Sequence, residues 1–308
     1  MSSTREFELI KSLAAIHAAS RAPSVVTSIG DDAAVLSIDA YTVWTVDVQA
    51  EHVHFERAWL TAEDLGFRAH AAATSDVLAM GAVPVASLAS YILPAGDGVM
   101  AEGLARGAEA SARAHGAPVV GGNLSRGASL SVTTTVLGRA SRAVLRSGAR
   151  VGDLVLVAGH LGYAALGLHA LMNGLSGDSL GPFIQHWRRP ELPVYAALSL
   201  DNAHAAIDIS DGLAQDLGHV LSPALLGAIL DEDALVDDAL RDACAGLQLA
   251  PLDLALAGGE DYALVCTARG DLPGFRRIGV VTDAPGIVVC GRNGACQSWR
   301  SAGHEHEF

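Results

Sequence analysis

Hydrophobic positions follow two periods along the chain and predict interleaved helices and strands. Apolar residues spaced three and four apart predict helices, whereas continuous or alternating apolar runs predict strands. The predicted helices are 6–19, 61–80, 100–115, 164–173 and 213–221, and the predicted strands are 41–48, 85–93, 130–138, 154–158 and the run 254–257. Thr61 is the expected N-cap of its helix. The pattern favours a mixed α/β or α+β fold, with one domain over 1–138 and a second over 139–308.

The acidic composition of the chain restricts the kinds of partner that it can bind. The chain has 20 Lys and Arg against 34 Asp and Glu, a net charge of −14, which argues against nucleic acid or an anionic membrane surface. No apolar run reaches the roughly 18 residues of a membrane span, and the N-terminus does not read as a secretory signal. We therefore expect a cytoplasmic protein. We interpret the four cysteines, Cys244, Cys266, Cys290 and Cys296, as small core residues and not as a disulfide or zinc framework.

Several carboxylates lie beside apolar strands or on a helix of small residues, where a charge needs a partner. They are Asp31, Asp32, Asp47, Asp76, Asp208 and Asp211. A solvated turn at Gly-Asp-Asp and a helix cap at Ser210 or Asp211 are the simpler interpretations. If the six converge, metal ions must neutralise them, and carboxylate ligands favour magnesium over zinc. Magnesium held by aspartates indicates phosphoryl transfer or another ATP-driven reaction.

The positive side chains restrict how phosphates could be bound. Lys11 is the single lysine, and no P-loop is present, so arginines must contact any phosphate. Four of them cluster at Arg139, Arg142, Arg146 and Arg150, either as a solvated surface or as phosphate ligands. His52 and His54 are two residues apart on a predicted strand. They could bind a metal, but a surface or substrate-facing position is favoured.

Five motifs occur in an order that resembles the thiamine-monophosphate kinases, members of the aminoimidazole ribonucleotide synthetase superfamily. The motifs are Gly30-Asp31-Asp32-Ala33-Ala34, Thr45-Val46-Asp47 with His54 seven residues on, Ser75–Ala82, Asp208-Ile209-Ser210-Asp211-Gly212 and Gly258-Gly259-Glu260-Asp261-Tyr262. The resemblance runs over nearly the whole chain. It implies an N-terminal α/β domain with a mixed sheet that dimerises, and a C-terminal α/β domain that completes the active site.

The resemblance also implies residue roles. Several magnesium ions would be held by Asp31, Asp32, Asp47, Asp76, Asp208 and Asp211, with Thr45 and Val46. ATP would contact Gly122, Asn123, Arg146 and Ser210. Thiamine monophosphate would contact His54, Glu260 and His304. The reaction would form thiamine diphosphate in a homodimer. Its acceptor phosphate is already ionised near neutral pH, so no residue is expected as a general base, and Asp211 and Arg146 would act electrostatically.

Three positions depart from the family pattern. Asn123 replaces the usual aspartate, His52 replaces a glycine, and His304 stands at the usual aromatic position. Two alternatives therefore stay open. One is another ATP-using enzyme of the superfamily, and the other is a divergent nucleotide or thiamine-phosphate binding protein.

Overall fold

The computed structural model describes residues 41–291 and 293–299, together with residues 12, 15–17, 25–27 and 35–36. Two compact units divide the chain. The first comprises Met1–Val77 and Ala82–Ser141, and the second comprises Leu78–Gly81 and Arg142–Phe308. No helix in the described residues is long and apolar enough to cross a membrane.

The first unit contains a four-stranded mixed sheet and two long helices. Its elements are β1 (Val25–Thr27), β2 (Val35–Leu36), β3 (Tyr41–Ala50), α1 (Ala62–Ala79), β4 (Val83–Leu93), α2 (Met100–His115), β5 (Val119–Arg126) and β6 (Ser131–Ala140). The strand order is β3-β6-β4-β5, and β1 pairs with β2 separately. Strands β4 and β5 are parallel, and the other neighbours in the four-stranded sheet are antiparallel. The mixed sheet predicted for this part of the chain is thereby confirmed.

Helix α1 begins at the predicted cap. The Asp64 N–H donates to Thr61 Oγ1 at 3.1 Å, and the Thr61 N–H donates to Asp64 Oδ2 at 3.1 Å. This reciprocal pair satisfies backbone donors that a helix start leaves without partners. Further along, a Cβ added to Gly66 would overlap the Leu104 carbonyl of α2. Small residues in this helix therefore serve the close contact between α1 and α2.

One face of the first sheet is apolar and exposed. Strand register aligns Val46 with Thr135 of β6, and Thr135 with Leu88 of β4, so these residues share a face. We call it the outward face; its apolar members are Trp44, Val46, Val48, Leu88 and Ile92, with Trp44 71% exposed. The opposite face is buried, and a Cβ added there to Gly138 would overlap Val77 of α1.

The second unit is built on a seven-stranded sheet in the order β13-β12-β9-β11-β7-β10-β8. Its elements are β7 (Leu154–Ala158), α3 (Tyr163–Met172), α4 (Gly181–Arg188), α5 (Val194–Ala197), β8 (Ala205–Asp208), α6 (Leu213–Leu221), β9 (Gly227–Asp231), α7 (Glu232–Leu235), α8 (Asp238–Leu247), α9 (Pro251–Ala257), β10 (Leu264–Ala268), β11 (Arg276–Thr282), β12 (Gly286–Cys290) and β13 (Cys296–Trp299). Only β9 and β12 pair in parallel among these described strands. One apolar core, which includes Ile209, Leu213 and Val265, packs between this sheet and its helices.

Two sequence interpretations are wrong in this unit. The run 254–257 was expected to be a strand, but it ends helix α9. Pro251 occupies the first turn of that helix, where its missing N–H costs nothing, and a four-residue apolar run has no diagnostic period. Cys290 and Cys296 form a disulfide because they are register partners in the β12–β13 hairpin. Cys244 and Cys266 are free and buried, as expected.

Candidate functional site

The motif Asp208–Gly212 forms the turn between β8 and α6. Asp208 is the last residue of β8 and is 4% exposed, while Ser210 and Asp211 are partly exposed. Gly212 has a φ of +117°, and an added Cβ would lie 2.9 Å from the backbone of α9. A side chain at this position would therefore disrupt the turn.

A carboxylate that the sequence did not single out holds this turn in place. One oxygen of Asp216, Oδ2, accepts the N–H groups of Ser210, Asp211 and Gly212 at 3.1, 3.0 and 3.1 Å. Burial raises the pKa of Asp216 to about 7, although the three donors act in the opposite direction. Its position in the first turns of α6 resembles a capping box, which is the signal that could have identified it.

The motif Gly258–Tyr262 lies directly against this turn. The Glu260 N–H donates to the Ser210 carbonyl at 2.8 Å, and the Tyr262 N–H donates to the Ile209 carbonyl at 2.9 Å. Glu260 and Tyr262 both have positive φ, +67° and +49°. Such conformations are unfavourable for residues with side chains and persist only where the surroundings enforce them. Two motifs about fifty residues apart in the sequence thus form one pair of loops.

Asp261 fixes the second loop from its other side. Its carboxylate accepts the Gly162 N–H at 2.5 Å and the Ala164 N–H at 2.8 Å, at the start of α3. The side chain is buried, and this burial raises the pKa of Asp261 to about 7. Asp261 therefore connects the loop to a helix N-terminus, where a carboxylate is favourable.

In the first unit, the predicted metal ligands lie on β3 and α1. The Thr45 hydroxyl donates to Asp76 Oδ2 at 2.6 Å. Asp76 is partly exposed within a stretch of α1 that is otherwise buried. Asp47 lies two residues from Thr45 on the same face of β3, and its Oδ1 accepts the Val48 N–H at 2.6 Å. Val46 points to the outward face, so only its backbone could join these oxygen donors.

The predicted nucleotide-binding glycine lies on β5. A Cβ added to Gly122 would overlap the Ala89 carbonyl of β4, so close strand contact requires glycine there. The register places Gly122 in the row of Ala89 and Asp47. Asn123 is exposed and pairs with Ser90 in the next row, so its side chain lies on the outward face, away from Gly122 and Asp47.

The two histidines after β3 have different surroundings. His54 is partly exposed, and its Nδ1 accepts the Ala50 N–H at 3.1 Å. His52 is exposed with a φ of +67°, and its Nδ1 lies 3.0 Å from the Glu56 carboxylate, which raises the pKa of His52. The left-handed backbone at His52 explains why a glycine is suited to this position.

Of the clustered arginines, Arg142 has a structural role. It donates to the carbonyls of Asp201 and Ala203 at 3.0 and 2.7 Å. Arg146 is exposed in the loop that follows β6. The remaining predicted site residues, Asp31, Asp32 and His304, lie outside the described residues.

The predicted magnesium ligands are divided between the first unit, the second unit and undescribed positions. No three His, Cys, Asp or Glu side chains in the described part of the chain form a group that could hold a metal ion. One magnesium cluster, like the individual residue roles, stays a prediction. What the structure brings together is Thr45 with Asp76 in the first unit, and Ser210 with Glu260 in the second.

Comparison with known proteins places this geometry in a family. A family profile described as AIR synthase related protein, N-terminal domain, matches residues 30–140. The thiamine-monophosphate kinase of Mycobacterium tuberculosis (strain CDC 1551 / Oshkosh) is 37% identical over 272 residues, which cover 84% of this chain and 80% of that protein.

Solved structures agree over almost the full length. The thiamine-monophosphate kinase from Stenotrophomonas maltophilia K279a superposes with a TM-score of 0.82 at 33% identity, covering 94% of this chain and 97% of that one. A structure described as AaThiL complexed with AMPPCP and TMP has a TM-score of 0.79 at 29% identity, covering 98% and 99%. The chain therefore belongs to the thiamine-monophosphate kinase family.

Proposed function

We propose that this protein transfers the γ-phosphoryl group of ATP to thiamine monophosphate, forming thiamine diphosphate and ADP in a magnesium-dependent reaction. The observation that carries the proposal is the 2.8 Å backbone hydrogen bond from Glu260 to Ser210. It joins the position predicted for the thiamine substrate to a position predicted for the nucleotide. The ligands of the related structure, AMPPCP and TMP, are those expected for such a transfer.

The available donors fit magnesium. Thr45 offers a hydroxyl, and Asp47, Asp76, Asp208 and Asp211 offer carboxylates, which are the hard oxygen ligands that magnesium prefers. We assign these five residues to magnesium binding. When bound, magnesium would neutralise phosphate charge and polarise the group being transferred.

The residues of this chain need to position the two phosphate-bearing substrates, and they do not need to remove a proton from the acceptor phosphate. A phosphate monoester carries about −1.5 to −2 charges at neutral pH, so its oxygen can attack the γ-phosphorus without a general base. As the new O–P bond forms in line, the bond to the β,γ-bridging oxygen breaks, and ADP leaves with that electron pair. We assign Ser210, Gly122 and Arg146 to ATP, together with the backbone of Asn123, since the Asn123 side chain lies on the other face of the sheet from Gly122. The positive charge of Arg146 would offset repulsion between the two phosphates.

A homodimer belongs to the same proposal. The outward face exposes Trp44, Val46 and Val48 side by side, and contiguous apolar surface of this kind marks an interaction site. The family resemblance identifies the partner as a second copy. Trp44→Glu should convert the dimer to monomers in sedimentation velocity. Arg269→Glu, which introduces the same side chain at an exposed position after β10 in the second unit, is the control and should leave the dimer intact.

The activity is tested by incubating the purified protein with ATP, thiamine monophosphate and magnesium. We expect ADP and thiamine diphosphate in equal amounts, and no product after chelation by EDTA. ADP without thiamine diphosphate would support a different ATP-using enzyme. A thermal shift with both ligands but no turnover would support a binding protein.

A further inference from the structure

A buried indole contacts the carboxylate that is predicted to face thiamine. Trp187 lies near the end of α4 and is 0% exposed, and its Nε1–H donates to Glu260 Oε2 at 2.9 Å. An indole has one donor and no acceptor, so burying it requires a partner. Here the partner is a partly exposed carboxylate. The hydrogen bond therefore fixes the orientation of a group that solvent or a ligand can still reach.

The backbone of Glu260 is held independently of its side chain. The Glu260 N–H donates to Ser210, and φ at Glu260 is +67°. The adjacent Asp261 is anchored to the start of α3. With the main chain held by these contacts and the carboxylate held by Trp187, both ends of the Glu260 side chain are fixed. Left-handed backbone at a residue of this size is unfavourable, which is typical of positions kept for function.

The helix that carries Trp187 is itself tightly packed. A Cβ added to Gly167 of α3 would overlap the Phe183 carbonyl of α4, so the two helices are in close contact. The Phe183 ring also lies 4.5 Å from the Tyr163 ring, centroid to centroid. A donor on such a rigid element can position a carboxylate more accurately than a donor on a loop.

We propose that Trp187 is a positioning residue that orients Glu260 toward the cationic, amino-bearing ring system of thiamine monophosphate. This inference rests on the proposed function, because it takes thiamine monophosphate as the substrate. A carboxylate is complementary both to the thiazolium charge and to the amino group on the pyrimidine ring. Misorienting Glu260 weakens recognition of that substrate and leaves the nucleotide unaffected.

The test is Trp187→Phe, which keeps an aromatic ring and removes the N–H. We expect the KM for thiamine monophosphate to rise about tenfold, as for the loss of a hydrogen bond to a charged group. The KM for ATP and kcat should change less than about twofold. Phe183→Leu is the matched control, because it removes aromatic packing from the same helix without touching Glu260. It should lower the melting temperature without changing either KM.

A double-mutant cycle separates positioning from packing. Because Trp187 acts through Glu260, Trp187→Phe should add no further rise in KM in a Glu260→Ala background. Additive effects, or an unchanged KM in Trp187→Phe, would overturn the inference while the wild type stays active. A wild type that makes no thiamine diphosphate would instead overturn the proposed function, and this inference with it.

A second measurement applies if Trp187→Phe does not fold. In ¹⁵N-labelled protein with four tryptophans, Glu260→Ala should move one indole N–H resonance. Addition of thiamine monophosphate to the wild type should move the same resonance, and magnesium with ATP should not. If neither Glu260→Ala nor thiamine monophosphate moves an indole signal, the inference is wrong.

Discussion

Each unit contains a pair of buried ionisable side chains whose pKa values burial shifts in opposite directions. In the first, His70 and His115 both contact the Ser111 hydroxyl, at 3.0 and 3.1 Å, and Nε2 of His70 lies 2.8 Å from the Ala117 carbonyl. Burial lowers the pKa of each histidine to about 4. In the second, Asp216 and Asp261 accept backbone N–H groups, and burial raises the pKa of each to about 7.

The buried histidines and the buried aspartates both lose hydration on folding, but they stabilise different parts of the structure. The histidines connect α1 and α2 through Ser111, and their role is to hold packed helices together. The aspartates hold the loops that carry Ser210 and Glu260, the positions proposed above for ATP and thiamine monophosphate. Buried polar groups near a candidate site are therefore informative only when the backbone they hold carries site residues.

The largest expected effect is an opposite response of the two units to acid. Between pH 6.5 and 4 the unfolded chain binds protons at His70 and His115 that the folded first unit does not, so its stability falls as pH falls. The loss reaches about 3 kcal/mol for each histidine. Asp261 has the reverse sign, because its folded form binds the extra proton between about pH 4 and 7 and the second unit gains stability as pH falls.

Hydrogen exchange resolved by segment measures this contrast. Between pH 7 and 5, protection corrected for intrinsic rates should decrease in α1 and α2, and it should not decrease at the start of α3. His115→Gln should make protection less dependent on pH in the first unit, and it should leave the pH dependence of the second unit unchanged. The same pH dependence of protection in both units would contradict the opposite responses expected here.

The next effect concerns the turn held by Asp216. Asp216→Ala leaves three N–H groups without their acceptor, and we expect unfolding free energy to fall by about 3 kcal/mol. Activity should fall on the order of a hundredfold, because the turn that carries Ser210 loses its geometry. Urea denaturation and initial rates measure both quantities. Asp253→Ala, which removes an exposed carboxylate from α9, is the control and should change neither.

A smaller effect is expected for Asp261→Asn. The two carboxylate oxygens of Asp261 accept the N–H groups of Gly162 and Ala164 separately, whereas the amide has a single oxygen and can accept only one of them. The amide also cannot ionise, so the pH dependence contributed by this position should disappear. The unfolding free energy at pH 5 should fall by about 2 kcal/mol, because one buried backbone N–H is left without an acceptor. Urea denaturation at pH 5 and pH 8 measures the slope. If the unfolding free energy of the variant changes with pH as much as that of the wild type, groups other than Asp261 cause the pH dependence.

The smallest expected effect concerns the left-handed backbone at His52, which lies in the first unit but outside the contacts of His70 and His115. His52→Gly should raise the unfolding free energy by about 1 kcal/mol, because glycine adopts the observed φ of +67° without strain. The exposed contact with Glu56 is worth little. His52→Ala keeps the strain and serves as the control. Equal midpoints for the glycine and alanine variants in urea would contradict this explanation.

Local patterns predicted the long elements well. The helix predicted over 61–80 is α1, and the helix predicted over 100–115 is α2 with the same limits. Their apolar periodicity is long enough to be unambiguous. The run 254–257 and the Cys290–Cys296 disulfide were mispredicted, because a short run fits either structure and a disulfide depends on strand register.

The residues of the candidate site also differ in whether the sequence could identify them. Asp208 and Asp211 could be selected from the residue pattern, because carboxylates beside an apolar run need a partner. Ser210 and Glu260 were selected through the family resemblance. Asp216 and Trp187 could not, because their importance depends on which backbone or carboxylate they contact. Those contacts join positions that are distant in the chain or hidden within an ordinary helix.

The sequence by itself determined the mixed fold and the family, because hydrophobic periodicity and ordered motifs are local properties of the chain. The oxygen donors for magnesium stay a prediction from the sequence. Tertiary structure alone decided that Asp208–Gly212 and Gly258–Tyr262 are one pair of loops, and that Asp216, Asp261 and Trp187 hold them. The physical reason is that hydrogen bonds to buried backbone and carboxylate groups form only when folding removes water from both partners.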